Sequence, residues 1–190
     1  QADPAVRAVK LPDSLMSKSL KYVIAHEIGH TLGFMHNMAA SAAIPTDSLR
    51  SPSFTREHGT TASIMDYARF NYVAQPSDRG VKLTPPQLGV YDYYALEWAY
   101  RLFPGATGYE DDAKRLRKMV EQHAGNPFYR YGLQQTSSRY DPSSIEEDLG
   151  DDPVKAGDYG MANLRFVLSN LDRWIGDEDG GKRKAELYNE

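Results

Sequence analysis

The apolar positions of this chain recur mostly with a helical period. Leu20, Val23, Ile24, Ile28 and Leu32 return every three or four residues, which predicts a helix over about 14–33. The stripe also predicts that this helix is buried, with its polar side turned to a cleft. Asp13 or Ser14 is placed to cap its start. Periodicity fades over 37–62, where Pro45, Pro52 and scattered Ser and Thr predict irregular chain, with room for a short helix at 39–43 or 53–58. Thr84-Pro85-Pro86-Gln87 has the form of a helix start, a capping threonine followed by a first-turn proline and a Gln that closes a capping box. It predicts a helix to about Leu102 whose aromatics (Tyr91, Tyr93, Tyr94, Trp98, Tyr100) serve packing rather than as a sugar or peptide platform. Thr107-Gly108-Tyr109-Glu110 is a second capping box, opening a helix with Ala113, Leu116, Met119 and Val120 that stops near Gly125-Asn126-Pro127. Residues 126–158 are polar and turn-rich. Leu164, Val167, Leu168, Leu171, Trp174 and Ile175 mark the last clear helix, with Gly176 as its stop. The tail from Asp177 is charged, with a turn or two over 182–188. Strand patterns are weak throughout, so the expected class is mainly α.

The first helix carries the chemistry. Residues 26–36 read His-Glu-Ile-Gly-His-Thr-Leu-Gly-Phe-Met-His, an HExxHxxGxxH pattern. His26 and His30 are four apart and project from one helix face, where two imidazoles can reach one zinc. Gly33 can take positive φ, end the helix and swing His36 back to the same ion. Three nitrogen ligands leave a fourth position open for water, the layout of a catalytic zinc. Glu27 adjoins His26 but points elsewhere, so it is a poor ligand and a good general base for that water. HExxH alone arises by chance on polar helix faces; the fuller pattern is far more specific.

Ser63-Ile64-Met65-Asp66-Tyr67 lies downstream, with Met65 29 positions beyond His36. With this second motif the chain resembles the metzincin zinc peptidases. The run SIMDYARFNYVAQPSD, His36-Asn37 and the later Glu147-Asp148-Leu149-Gly150-Asp151-Asp152-Pro153 resemble a family of large bacterial peptidases of that type. The resemblance implies that Met65 is a turn methionine under the three histidines, and that Tyr67 ligates zinc or steadies the oxyanion. The alternative on the residues alone is that Met65 is ordinary core and Tyr67 a packing aromatic. The resemblance further implies a protein or peptide substrate and export from the cell. Asn37, following the third histidine, does not select a branch of the metzincins.

Composition narrows the rest. With 41% apolar and 25% charged residues the chain suits a soluble globular fold, and no apolar run is long enough to span a membrane. Net charge is −4 with no basic cluster, which argues against a nucleic-acid surface. The chain has no cysteine, so a thiolate zinc site is excluded. Only 25 residues precede His26, too few for the twisted sheet that metzincins place before the zinc helix. The expected architecture is therefore a zinc helix plus C-terminal subdomain, with the β-sheet part supplied by an upstream segment of the same parent protein. The expected division is 1–105 for the zinc helix and Met-turn, 106–176 for a helical extension packed on it, and 177–190 for a polar tail.

Two rivals stand beside the zinc peptidase. One is a zinc-holding binding scaffold that does not cleave, for which Glu27 would be superfluous. The other is a zincin in which Glu57 replaces His36 as third ligand. His58 and His123 have no partner at ligand spacing and read as structural or solvated. The acidic stretch 146–152 could hold calcium, but turn and cap roles are preferred.

Overall fold

Helices frame a core that is itself irregular. The computed structural model describes residues 12–84, 88–138, 140–175 and 181–189. Among them are α1 (Asp13–Thr31), α2 (Pro52–His58), α3 (Val90–Tyr100), α4 (Tyr109–Gln122), α5 (Pro153–Trp174) and α6 (Lys182–Asn189), short 3-10 turns at Thr46–Arg50 and Pro127–Tyr129, and no strand. The mainly α expectation holds for the described residues.

α1 follows Pro12 with no side-chain cap, so neither Asp13 nor Ser14 plays that part; Asp13 instead sits in the first turn, where a carboxylate suits the helix dipole. Its end is as expected. Gly33 takes φ 85°, and Phe34 N–H donates back to Gly29 O at 3.1 Å, closing the last turn. Tyr100 from α3 locks the same corner, its hydroxyl donating to Leu32 O at 2.8 Å.

The burial of α1 is the reverse of what its apolar stripe predicts. His26 and Gly29 are buried, whereas Leu20, Val23, Ile24, Ile28 and Leu32 are all at least 39% exposed. At 100° per residue, Tyr22, His26, Gly29 and His30 share one face, Leu20, Ile24 and Ile28 lie opposite, and Val23 and Leu32 flank them. The described body packs on the histidine side alone.

Most of the fully enclosed apolar side chains belong to residues 38–81, among them Met38, Ile44, Leu49, Met65 and Val73; Leu149 and Ala156 join them from further along the chain. Irregular backbone can be buried only if its polar groups find partners. Polar side chains supply these here. Asn71 Nδ2 donates to Leu49 O (2.7 Å) and Lys82 O (3.1 Å), while its Oδ1 accepts from Ala74 N (3.2 Å). Arg50 forks onto Asp78. α5 is fastened to the same region by Asn163, which donates to Tyr72 O and Ala74 O.

Three helix starts differ from expectation. α3 begins at Val90 behind Gly89, not at Thr84; Pro85 and Gln87 lie outside the described residues. The start is set by tertiary contact: Tyr91 N–H donates to Ala62 O, and a Cβ on Gly89 would overlap that carbonyl. α4 starts behind Gly108 at φ 145°, with Thr107 outside the cap position. α5 begins at Pro153, well before Leu164, because Asp152 accepts from Lys155 N (3.0 Å) and Pro153 fills the first helical position.

The acidic stretch is consumed by local bonds. Asp151 accepts from Thr46 N and Oγ1, Asp148 from Ser41 Oγ, Glu146 from Gln134, and Glu147 pairs with Arg69. His123 stacks on Tyr129 at 3.8 Å, and His58 lies against Phe54 at 4.5 Å, so both are packing residues.

Candidate metal centre

His26, His30 and His36 converge. One ligand atom from each lies within 4.8 Å of the others. α1 presents the first two, and the turn at Gly33 returns the third. Glu57, the alternative third ligand, is outside this cluster and lies 3.8 Å from His58 in α2.

Each ring is oriented by a hydrogen bond at Nδ1. His26 Nδ1 donates to Ile64 O (2.7 Å), His30 Nδ1 to Phe34 O (2.9 Å) and His36 Nδ1 to Gln134 Oε1 (2.7 Å). All three acceptors are oxygens without a proton to give, so the proton must sit on Nδ1 and the Nε2 lone pair is free. His30 Nε2 and His36 Nε2 then face each other at 3.1 Å, lone pair against lone pair. Such a pair repels unless a cation or proton lies between. Two nitrogens held about 2.0–2.1 Å from one tetrahedral zinc would be about 3.3 Å apart, so the donor set fits the ion. Burial also holds the His26 imidazole below the usual histidine range, with the neighbouring rings adding to the effect, which favours the neutral ring a metal needs.

The turn at Met65 packs against α1. The Met65 side chain fills the space over Gly29, three residues after His26 and next to His30, so that a Cβ at Gly29 would overlap the Met65 sulfur. Asp92 of α3 holds the turn in shape: it accepts from Ser63 Oγ (2.6 Å), Ile64 N (2.9 Å) and Gly89 N (2.6 Å). Burial pushes its carboxyl above the usual range, and these three donors pull it back. Since Ile64 O is the acceptor for His26, Asp92 and the His26 ring are linked through the backbone of a single residue, Ile64. Tyr22 anchors the other side, its hydroxyl donating to Asp66 O.

Tyr67 lies over the cluster, its ring 4.5 Å from that of His36 and 5.6 Å from that of His26. It is 39% exposed, so its ring borders solvent beside the histidines. Glu27 is exposed on α1, close enough for its charge to act on His26.

A match to the Met-zincin family covers residues 8–190, the three histidines and the Met65 turn included. The chain belongs to the Met-zincin family. Comparison with curated proteins and with solved structures finds no match. In this Met-zincin the sequence motifs locate the histidines, Met65 and Tyr67 in one place. They do not reveal Gly29, Asp92 or Gln134 as parts of it. The x-x of HExxH conceals Gly29, and Asp92 and Gln134 are distant in sequence, with no spacing that connects them to a histidine.

Proposed function

We propose that this Met-zincin is the zinc-holding part of a peptidase that hydrolyses peptide bonds. The observation that carries the reading is the inward-facing Nε2 pair of His30 and His36, with every Nδ1 already engaged. Zinc held there supplies the Lewis acidity that makes water a nucleophile near neutral pH. Glu27 is the general base: its carboxylate takes a proton from the attacking water and returns it to the leaving amine nitrogen. Tyr67, exposed above His26 and His36, is placed to donate its hydroxyl to the developing oxyanion. Met65 and Asp92 keep the turn against α1 rigid.

The exposed apolar side of α1 supports a second element of the proposal. Leu20, Val23, Ile24 and Ile28 form a face that a further segment of the same parent protein would cover, giving the cleft its upper wall and an edge for extended substrate.

Elemental analysis of purified protein, with turnover of a peptide library by a longer parent chain, tests the reading. One zinc per chain and hydrolysis abolished by Glu27→Ala with zinc retained are expected. A chain that takes up no zinc ends the proposal. Full zinc with undiminished turnover in Glu27→Ala moves the base elsewhere, and zinc without hydrolysis in any form leaves a binding scaffold.

A further inference from the structure

His36 differs from its two companions in what holds it. His26 and His30 donate to backbone carbonyls, which the local fold supplies regardless of side-chain identity. His36 donates to a side chain, Gln134 Oε1, 98 positions away. That amide is itself held, since Gln134 Nε2 donates to Glu146 Oε1 at 2.7 Å. A carboxylate only accepts, so it turns the NH2 of Gln134 toward itself and leaves the amide oxygen facing His36.

The intervening chain is shaped to deliver this contact. Asn37, next to His36, behaves like a piece of backbone: its Nδ2 donates to Arg130 O (3.0 Å) and its Oδ1 accepts from Gly132 N (2.9 Å). Met38 N–H donates to Gly132 O (2.8 Å). Gly132 has no room for a side chain, because a Cβ there would overlap Ala39 and the Ser144 hydroxyl. Gln135 then closes the loop, accepting from Tyr140 N and Asp141 N and donating to Asp141 O and Ser144 O. The segment leaves the metal centre at Gln134 and returns at Glu146.

We infer that Gln134, oriented by Glu146, is a positioning residue for His36: it keeps the ring proton on Nδ1, aims Nε2 at the metal and strengthens that nitrogen as a ligand. The inference rests on the zinc reading above. Outer partners of this kind orient metal-bound imidazoles and raise their basicity, and their loss typically weakens metal binding about 10–100-fold. Glu27 and the histidines supply the chemistry, and the 130–146 segment sets how firmly the third ligand is held.

The test has two readouts that do not depend on turnover. The first is the tautomer of His36 in the metal-free wild-type chain, read from ¹⁵N chemical shifts with the ring assigned through bonds from its own backbone. Nδ1–H is expected, and an Nε2–H ring would overturn the inference without any variant having to fold. The second is zinc affinity by competition with a chromogenic chelator. Gln134→Leu is expected to weaken zinc about 10–100-fold, with the helical circular dichroism unchanged. The exchanged pair Gln134→Glu with Glu146→Gln keeps an acceptor on His36 and a bonded partner behind it, and is expected to restore affinity to within a few-fold of wild type. Wild-type affinity in Gln134→Leu, or no recovery in a folded exchanged pair, would overturn the assignment. Failure of the zinc reading looks different, because the wild-type chain itself would then bind no zinc.

Discussion

The Met65 sulfur occupies the space that a side chain on Gly29 would need. Gly29 stands between His26 and His30 on α1, so helix and turn approach closely where two ligands leave the helix. The glycine is therefore a matter of space, not of backbone freedom.

From this fit, Gly29→Ala is expected to destabilise the protein by about 1–3 kcal/mol, the usual cost of overfilling a packed site. Zinc affinity should fall with it, because the helix must move away from the turn. Met65→Ala makes room, so the double variant should be more stable than the two single losses add up to. Denaturant unfolding of the four proteins measures this, and strict additivity would show that the two residues do not share the space.

Asp92 is the buried acceptor for three donors of the Met-turn and the α3 start. Asp92→Ala strands the Ser63 hydroxyl and the Ile64 and Gly89 amides. At about 1–3 kcal/mol for each unsatisfied buried group, a loss of roughly 3 kcal/mol or more is expected. Asp92→Asn keeps part of the acceptor set and should lose less. Equal stability of Asp92→Ala and wild type in urea unfolding would show that water replaces the carboxylate freely.

Zinc should stabilise the folded chain by mass action. At 100 times its Kd a ligand that binds only the folded form adds about 2.7 kcal/mol. Thermal unfolding should rise with added zinc and fall with chelator in wild type and in Glu27→Ala alike, but stay flat in His26→Ala. A His26→Ala protein with the full zinc-dependent shift would take that ring out of the ligand set.

Ser41 joins the buried Asp66 and the half-buried Asp148, its N–H donating to Asp66 Oδ2 (2.6 Å) and its hydroxyl to Asp148 Oδ1 (3.1 Å). Burial pushes Asp66 to about 7 and Asp148 to about 6. Asp148 also borders a hollow lined by Arg130 and Asp151. A carboxyl raised by folding contributes stability that is complete below the ordinary carboxylate range and is lost as pH rises through its folded value. As pH rises from about 4 to about 6 the wild-type Tm should therefore fall relative to that of Asp148→Asn, and at higher pH the two curves should run parallel. Asp78, held below the usual range by Arg50, acts with the opposite sign at lower pH and cancels in the comparison. Tm curves parallel in that lower window as well would mean that Asp148 titrates alike in folded and unfolded chain.

Local order in the chain determined the chemistry of this protein. HExxH on a helix places two imidazoles on one face, and a glycine free to take φ 85° returns the third, because helix geometry and φ restrictions act over a few residues and need no partner. Helix content was legible for the same reason, but the Asp152-Pro153 start of α5 was not, because it falls in a polar, turn-rich stretch and the later apolar stripe overshadowed it. The tertiary structure alone decided which face of α1 is buried. Amphipathicity says that two faces differ, and here the histidine face found a partner among the described residues while Leu20, Ile24 and Ile28 did not. It alone decided the start of α3, where Ala62 and the buried Asp92 override the capping signal at Thr84. It alone brought Gln134 to His36, since a hydrogen bond across 98 residues depends on Asn37, Gly132 and Gln135 folding the intervening loop, and no periodicity records where two distant side chains meet.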